Sequence, residues 1–128
     1  MNRALKTPMF QALLLVAAGA VPGALLRWHW SGSEGGTLAA NLLATLLLGG
    51  LLPLQPRHPQ LWLLAGVGFC GSLSTFSTWV LELEAALQTE QPLNVLVVLF
   101  SQLLGGLLAI GVGAALTRAL VRWQARSR

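Results

Sequence analysis

Charged residues are missing from four long stretches of this chain, and that constrains its fold more than any motif does. The uncharged runs extend from about Thr7 to Leu26, Thr37 to Leu54, Leu61 to Leu81 and Leu93 to Thr117. A bilayer's hydrocarbon core is roughly 30 Å thick and takes about 20 apolar residues of helix to cross. Over 128 residues only 9% are charged, against 55% hydrophobic, whereas an ordinary soluble domain has about 25% charged residues. The chain therefore reads as an all-α membrane protein. A single membrane domain would occupy residues 1–128, with transmembrane helices at about 7–27, 37–54, 61–81 and 93–117. Connections fall at Ser31-Gly32-Ser33-Glu34-Gly35-Gly36 and in the segment Pro53 to Pro59, whose prolines break a helix. An even number of crossings puts both termini on one side.

Several function classes drop out on composition. Cys70 is alone and cannot close an intrachain disulfide, and no Cys/His spacing suits zinc, haem or an iron–sulfur cluster. The basic pI of 11.3 does not point to nucleic acid, because the basic residues flank apolar runs and form no face in a water-exposed domain. Arg3 and Lys6 before an apolar run, with Ala17-Ala18-Gly19-Ala20 behind it, have the form of a secretory signal. Against that, Gly19, Gly23 and Arg27 at spacings of four place one ridge on a helix that continues past such a cut. No hydroxyl stands near a buried histidine, since His29 and His58 sit at segment ends. An enzyme is not expected.

Polar groups inside the apolar runs are the candidate functional residues. Asn41 lies within the second run, where an amide without water must bond to another helix or line a wet cavity. Either role fits the residue alone. The third run carries Gly66, Gly68 and Gly71 together with Ser72, Ser74, Thr75, Ser77 and Thr78. Helix propensity falls there, at a depth where irregular backbone is tolerated only beside protein or a cavity. Such a region can be a kinked packing helix, or it can offer carbonyls to a hard cation and hydroxyls and ring edges to an anion. Glycines elsewhere, as in Gly49-Gly50, Gly105-Gly106 and Gly111-x-Gly113, let helix backbones approach closely. Glu34, Glu82, Glu84 and Glu90 stand in linkers or at helix ends, so the buried carboxylate that a proton-coupled exchanger requires is not evident. A small four-helix exchanger and a non-transporting assembly subunit are the rival readings to a channel.

The residues Gly19-xxx-Gly23-Ala24-xx-Arg27, Gly36-Thr37-xxx-Asn41 and Gly68-Phe69-Cys70-Gly71-xx-Ser74-Thr75-Phe76-Ser77-Thr78-Trp79 resemble the CrcB/Fluc fluoride channels, whose third-helix signature reads approximately GFxGxxTTFSTF. The resemblance spans essentially the whole chain. It implies passive, fluoride-selective efflux from the cytoplasm through the plasma (inner) membrane of a bacterium, which limits fluoride toxicity. It also implies a broken third helix, an antiparallel dual-topology dimer and a structural sodium ion at the dimer centre, held by the carbonyls of Gly71 and Ser74. Pore and fluoride residues would be Asn41, Phe76, Ser77, Thr78 and Trp79, with Arg27 at the vestibule. Trp79 stands where the signature has a second phenylalanine; its indole would keep a positive ring edge and add an N–H donor, while its bulk would narrow the path.

Charge placement adds a question about the partner. With four crossings Arg3, Lys6, Arg57, Arg118, Arg122, Arg126 and Arg128 share one side, and Arg27 alone lies on the other. Positive residues favour the cytoplasm, whereas an antiparallel homodimer needs both orientations. The chain is expected either to insert both ways or to pair with an oppositely oriented homologue.

Overall fold

A computed structural model of the protein describes residues 8–33, 35–89 and 91–127. Arg3, Lys6, Thr7, Glu34, Glu90 and Arg128 lie outside the described residues. Four helical spans are long and apolar enough to cross a membrane: Met9–Trp30, Gly36–Leu54, Pro59–Gln88 and Pro92–Arg126. The architecture is all-helical and that of a multi-pass membrane protein.

The first span is α1, Met9–Trp30. The second is α2, Gly36–Leu51, tightening into a 3-10 turn at Leu52–Leu54. Gly35 precedes α2 with φ +72°, a left-handed conformation that costs glycine little and other residues more. The third span is composite. It opens with α3, Pro59–Leu61, widens to a π-type segment over Trp62–Cys70, and returns to one α-turn in α4, Gly71–Leu73. Ser74 (ψ 143°) and Thr75 (φ −144°, ψ 127°) are extended, and helical geometry resumes in α5, Phe76–Gln88. The fourth span is α6, Pro92–Arg126, with Pro92 in its first turn where a missing N–H does no harm.

Three spans outrun the apolar stretches that mark them: α1 by one short turn, to Trp30, and two others by more. The third span ends at Gln88, beyond Leu81, and α6 continues from Thr117 to Arg126. Polar character alone does not stop a helix. Residues 82–88 and 118–126 contain no Gly or Pro and are rich in Ala, Leu, Glu, Gln and Arg, all strong helix formers. At 35 residues, α6 is about 52 Å long, so its basic end projects past a hydrocarbon core of roughly 30 Å.

Packing follows the membrane pattern, with large side chains outside and small ones between helices. Leu104, Leu107 and Leu108 on α6 are exposed, whereas Gly19, Gly23, Ala40, Ala44, Gly49, Gly68, Gly113 and Ala114 are buried. Leu73 is the one large side chain among the described residues that is fully buried. The glycines sit where backbones meet. A Cβ on Gly68 would lie 3.0 Å from Gly19 Cα, which joins α1 to the π-type segment. A Cβ on Gly49 would lie 2.8 Å from Ile110 Cα, and one on Gly113 would lie 2.8 Å from Gly50 N, which joins α2 to α6. Ala40, Ala44, Cys70 and Leu73 form the core between these two pairs, with Leu26, Leu43 and Phe69 packed against it.

Candidate functional site

The extended residues Ser74 and Thr75 lie where three elements converge. Having left helical geometry, Thr75 loses the carbonyl that its N–H would otherwise bond to, and Asn41 on α2 replaces it: Thr75 N–H donates to Asn41 Oδ1 at 2.9 Å. Asn41 Nδ2 donates to Gln102 Oε1 on α6 at 3.2 Å and reaches the Thr75 carbonyl at 3.4 Å. One amide thus ties α2, the third span and α6 together. No partner of the Gly71 or Ser74 carbonyl oxygens occurs among the described residues. Gly71 is exposed, with nothing within 4 Å of a Cβ placed on it.

Two cavities share Thr75 as a wall residue. The larger, about 240 Å³, is lined by Asn41, Thr45, Phe76, Trp79 and Gln102, together with Ser74, Thr75 and Leu103. The smaller, about 110 Å³, has Arg27, Thr37, Thr75 and Thr78 in its wall. Phe76 is 74% exposed and its ring stacks at a tilt of 53° on Trp79, centroid to centroid 5.2 Å. Both rings line the larger cavity, and the edge of an aromatic ring carries partial positive charge. Among the described residues Arg27, half-buried in the smaller cavity, is the only charged side chain lining either. Among the described residues no three His, Cys, Asp or Glu side chains converge.

Of the residues singled out by sequence, Asn41, Phe76 and Trp79 come together in the larger cavity, and Arg27 and Thr78 in the smaller. Ser74 lines the larger cavity, while its hydroxyl donates to the Cys70 carbonyl at 3.0 Å. Ser77 lines neither; it is exposed, with its hydroxyl 3.0 Å from that of Thr75. One expectation is corrected. The Trp79 indole does not present a free N–H, because Nε1 donates to the Val98 carbonyl on α6 at 3.2 Å. What Trp79 offers the cavity is its ring.

Gln102, Thr45, Thr37 and Thr75 also belong to these cavities; the sequence pattern alone singled out neither Gln102 nor Thr45, and it presented Thr37 and Thr75 within motifs and not as site residues. The signal at Gln102 was the same as at Asn41: an amide in an apolar run must find partners. It lacked a neighbouring motif to draw attention to it.

Comparison with known proteins identifies relatives of this arrangement. The family model described as CrcB-like protein, Camphor Resistance (CrcB) matches residues 14–114. The chain is 46% identical over 109 residues to fluoride-specific ion channel FluC 2 of Synechococcus sp. (strain CC9902), covering 82% of this chain and 75% of the relative. Two proteins of Prochlorococcus marinus (strain MIT 9313) are also similar. Its fluoride-specific ion channel FluC 1 is 42% identical, covering 88% of this chain and 95% of the relative. Its FluC 2 is 40% identical, covering 88% and 82%.

Proposed function

The chain belongs to the CrcB family, and from that premise we propose that it is a fluoride-selective channel that lets cytoplasmic fluoride leave passively across the bacterial plasma membrane, relieving its toxicity. The observation that carries this reading is the pair of cavities that share Thr75 as a wall residue, lined by amide, hydroxyl and aromatic side chains, with Arg27, the one cation among their described lining residues, in the smaller of them. Fluoride is small and strongly hydrated. A path for it must replace water with close, weak donors and still release the ion. Asn41, Phe76, Thr78 and Trp79 line that path in this reading, Ser77 joins it from the exposed face of α5, and Arg27 forms the vestibule.

The extended pair Ser74–Thr75 is read as the break in the third helix. A sodium ion fits this place chemically, because a hard cation takes oxygen ligands and the Gly71 and Ser74 carbonyls lack hydrogen-bond partners. Those two carbonyls would hold it, and the ion would supply positive charge that offsets their dipoles. The exposure of Phe76 and Gly71 supports a second, antiparallel copy or homologue covering this face. Relatives named FluC 1 and FluC 2 within one strain, and the one-sided charge of this chain, favour an oppositely oriented homologue as partner.

Fluoride efflux from proteoliposomes, followed with a fluoride electrode, tests the reading. Flux down the fluoride gradient alone, with chloride excluded, is expected. Flux that requires a proton gradient would replace the channel with an exchanger, and well-folded protein without flux would leave an assembly subunit.

A further inference from the structure

The hydrogen-bond chain in the larger cavity has a direction, and it is fixed from one end. A backbone N–H only donates, so the Asn41 atom 2.9 Å from Thr75 N is the oxygen. Nδ2 then occupies the other branch, 3.2 Å from Gln102. An NH2 group needs an acceptor, so Gln102 turns Oε1 toward it. Amide orientations are ordinarily ambiguous, but here both reversals fail. Turning Gln102 alone sets two NH2 groups face to face, and turning Asn41 sets its NH2 against the Thr75 N–H.

Gln102 Nε2 is left buried without a partner. The Asn41, Thr45, Ser74 and Trp79 side chains around the cavity already have protein partners. Asn41 bonds Thr75 and Gln102 through both ends of its amide. The Thr45 hydroxyl donates to the Asn41 or Leu42 carbonyl, at 2.9 and 3.0 Å, and that of Ser74 donates to Cys70. The Trp79 N–H is held by Val98, and the Thr75 and Ser77 hydroxyls face each other. Buried NH2 groups with nothing to donate to are costly and rare in native proteins. Gln102 Nε2 is thus the buried side-chain nitrogen in the wall of this cavity that has no protein acceptor, and such a leftover donor points to a ligand that accepts.

We propose that the Gln102 carboxamide NH2 donates to the permeating anion in this cavity, and that Asn41 is a positioning residue which holds Gln102 in the donating orientation. The inference rests on the channel reading and deepens it: the side-chain amide that meets fluoride is Gln102, and Asn41 acts through it.

The full-length protein, in liposomes for fluoride efflux and in detergent for fluoride-dependent thermal stabilisation, tests this with three variants. Gln102→Met keeps the length and removes the donor. Gln102→Glu keeps an oxygen toward Asn41 and replaces the NH2 by a second oxygen. Both are expected to lower efflux about tenfold or more, the factor carried by a hydrogen bond to a charged group, and to abolish the rise in unfolding temperature that fluoride gives the unaltered protein. Asn41→Asp still accepts from Thr75 but draws the Gln102 NH2 toward itself, leaving an oxygen in the cavity. Its loss of efflux should therefore not deepen when Gln102→Met is added. Additive losses would overturn the positioning role of Asn41. Efflux within about twofold of the unaltered protein in a folded Gln102 variant, or a fluoride shift that both Gln102 variants retain or that the unaltered protein lacks, would overturn the donor. A shift that depends on Gln102 in protein without efflux would instead sink the channel reading and leave the donor standing.

Discussion

Gly49→Ala tests whether the contact between α2 and α6 sets the geometry of the cavity. A methyl at Gly49 would lie 2.8 Å from both the Cα and the carbonyl carbon of Ile110 and would overlap the Ile110 oxygen. Carbon atoms rest about 3.5–4.0 Å apart, so the two helices must separate by about 1 Å at this point. Asn41 lies eight residues earlier on α2, roughly 12 Å along the axis and about two turns away, on the same side. Its bond to Gln102 is 3.2 Å long, and an added ångström takes it beyond useful hydrogen-bond range. Overpacking of this kind costs about 1–3 kcal/mol. Gly50→Ala, one residue on, meets Thr117 Oγ1 at 3.3 Å and the Gly113 carbonyl at 3.8 Å. A hydroxyl can rotate away, so the cost there stays under about 1 kcal/mol. Unfolding of the two variants in mixed micelles, alongside fluoride efflux, should find Gly49→Ala less stable and poorly conducting and Gly50→Ala close to the unaltered protein. Equal behaviour of the two, or full conduction by Gly49→Ala, would refute the claim that this helix contact holds Asn41 against Gln102.

Trp79→Phe keeps a ring in the cavity but removes the bond to Val98; stability should fall by about 1 kcal/mol and efflux should rise several-fold as the wall thins, whereas slower efflux would show that the indole does not narrow the path. Phe76→Ile removes a ring edge; such a contact, about 1–1.5 kcal/mol, corresponds to roughly tenfold slower efflux with the elution volume on gel filtration unchanged. Unchanged efflux would take Phe76 out of the path. A thiol introduced by Ser127→Cys should react with an impermeant reagent from one face of intact membranes if the one-sided charge fixes the orientation, and from both faces in equal measure if the chain inserts either way.

The four spans were legible because hydrocarbon excludes charge, and the uncharged runs mark them directly. Their ends were less so, since propensity and not hydropathy decides where α5 and α6 stop; Glu82, Glu84 and Arg118 continue helices they were expected to close. Asn41 was legible as an amide that must have a partner, but the identity of that partner depends on Gln102, 61 residues away. The extended backbone at Thr75 likewise requires an acceptor on another helix, a tertiary contact that no local pattern reports. Glycines illustrate the same limit. Gly111 and Gly113 look equivalent in sequence, yet Gly111 faces open space while Gly113 lies against the Leu46 and Gly50 backbone.

Charge placement decides how an anion could traverse such a site. Two unit charges about 4 Å apart at an effective dielectric of 20 attract by about 4 kcal/mol, and a well deeper by that amount slows escape roughly a thousandfold. A neutral donor bonded to an ion contributes only about 1.5–3 kcal/mol. Arg27 stands in the smaller cavity, near the end of α1, where it can raise the local anion concentration while remaining half in contact with water. Among the described residues the larger cavity is lined by the Asn41 and Gln102 amides and the Phe76 and Trp79 rings, with no charged side chain. Attraction is thereby placed where release into water is easy, and weak ligation is placed where release is hard. In the proposed path Thr75, in the wall of both cavities, would stand between the two regimes, and its backbone N–H is already bonded to Asn41.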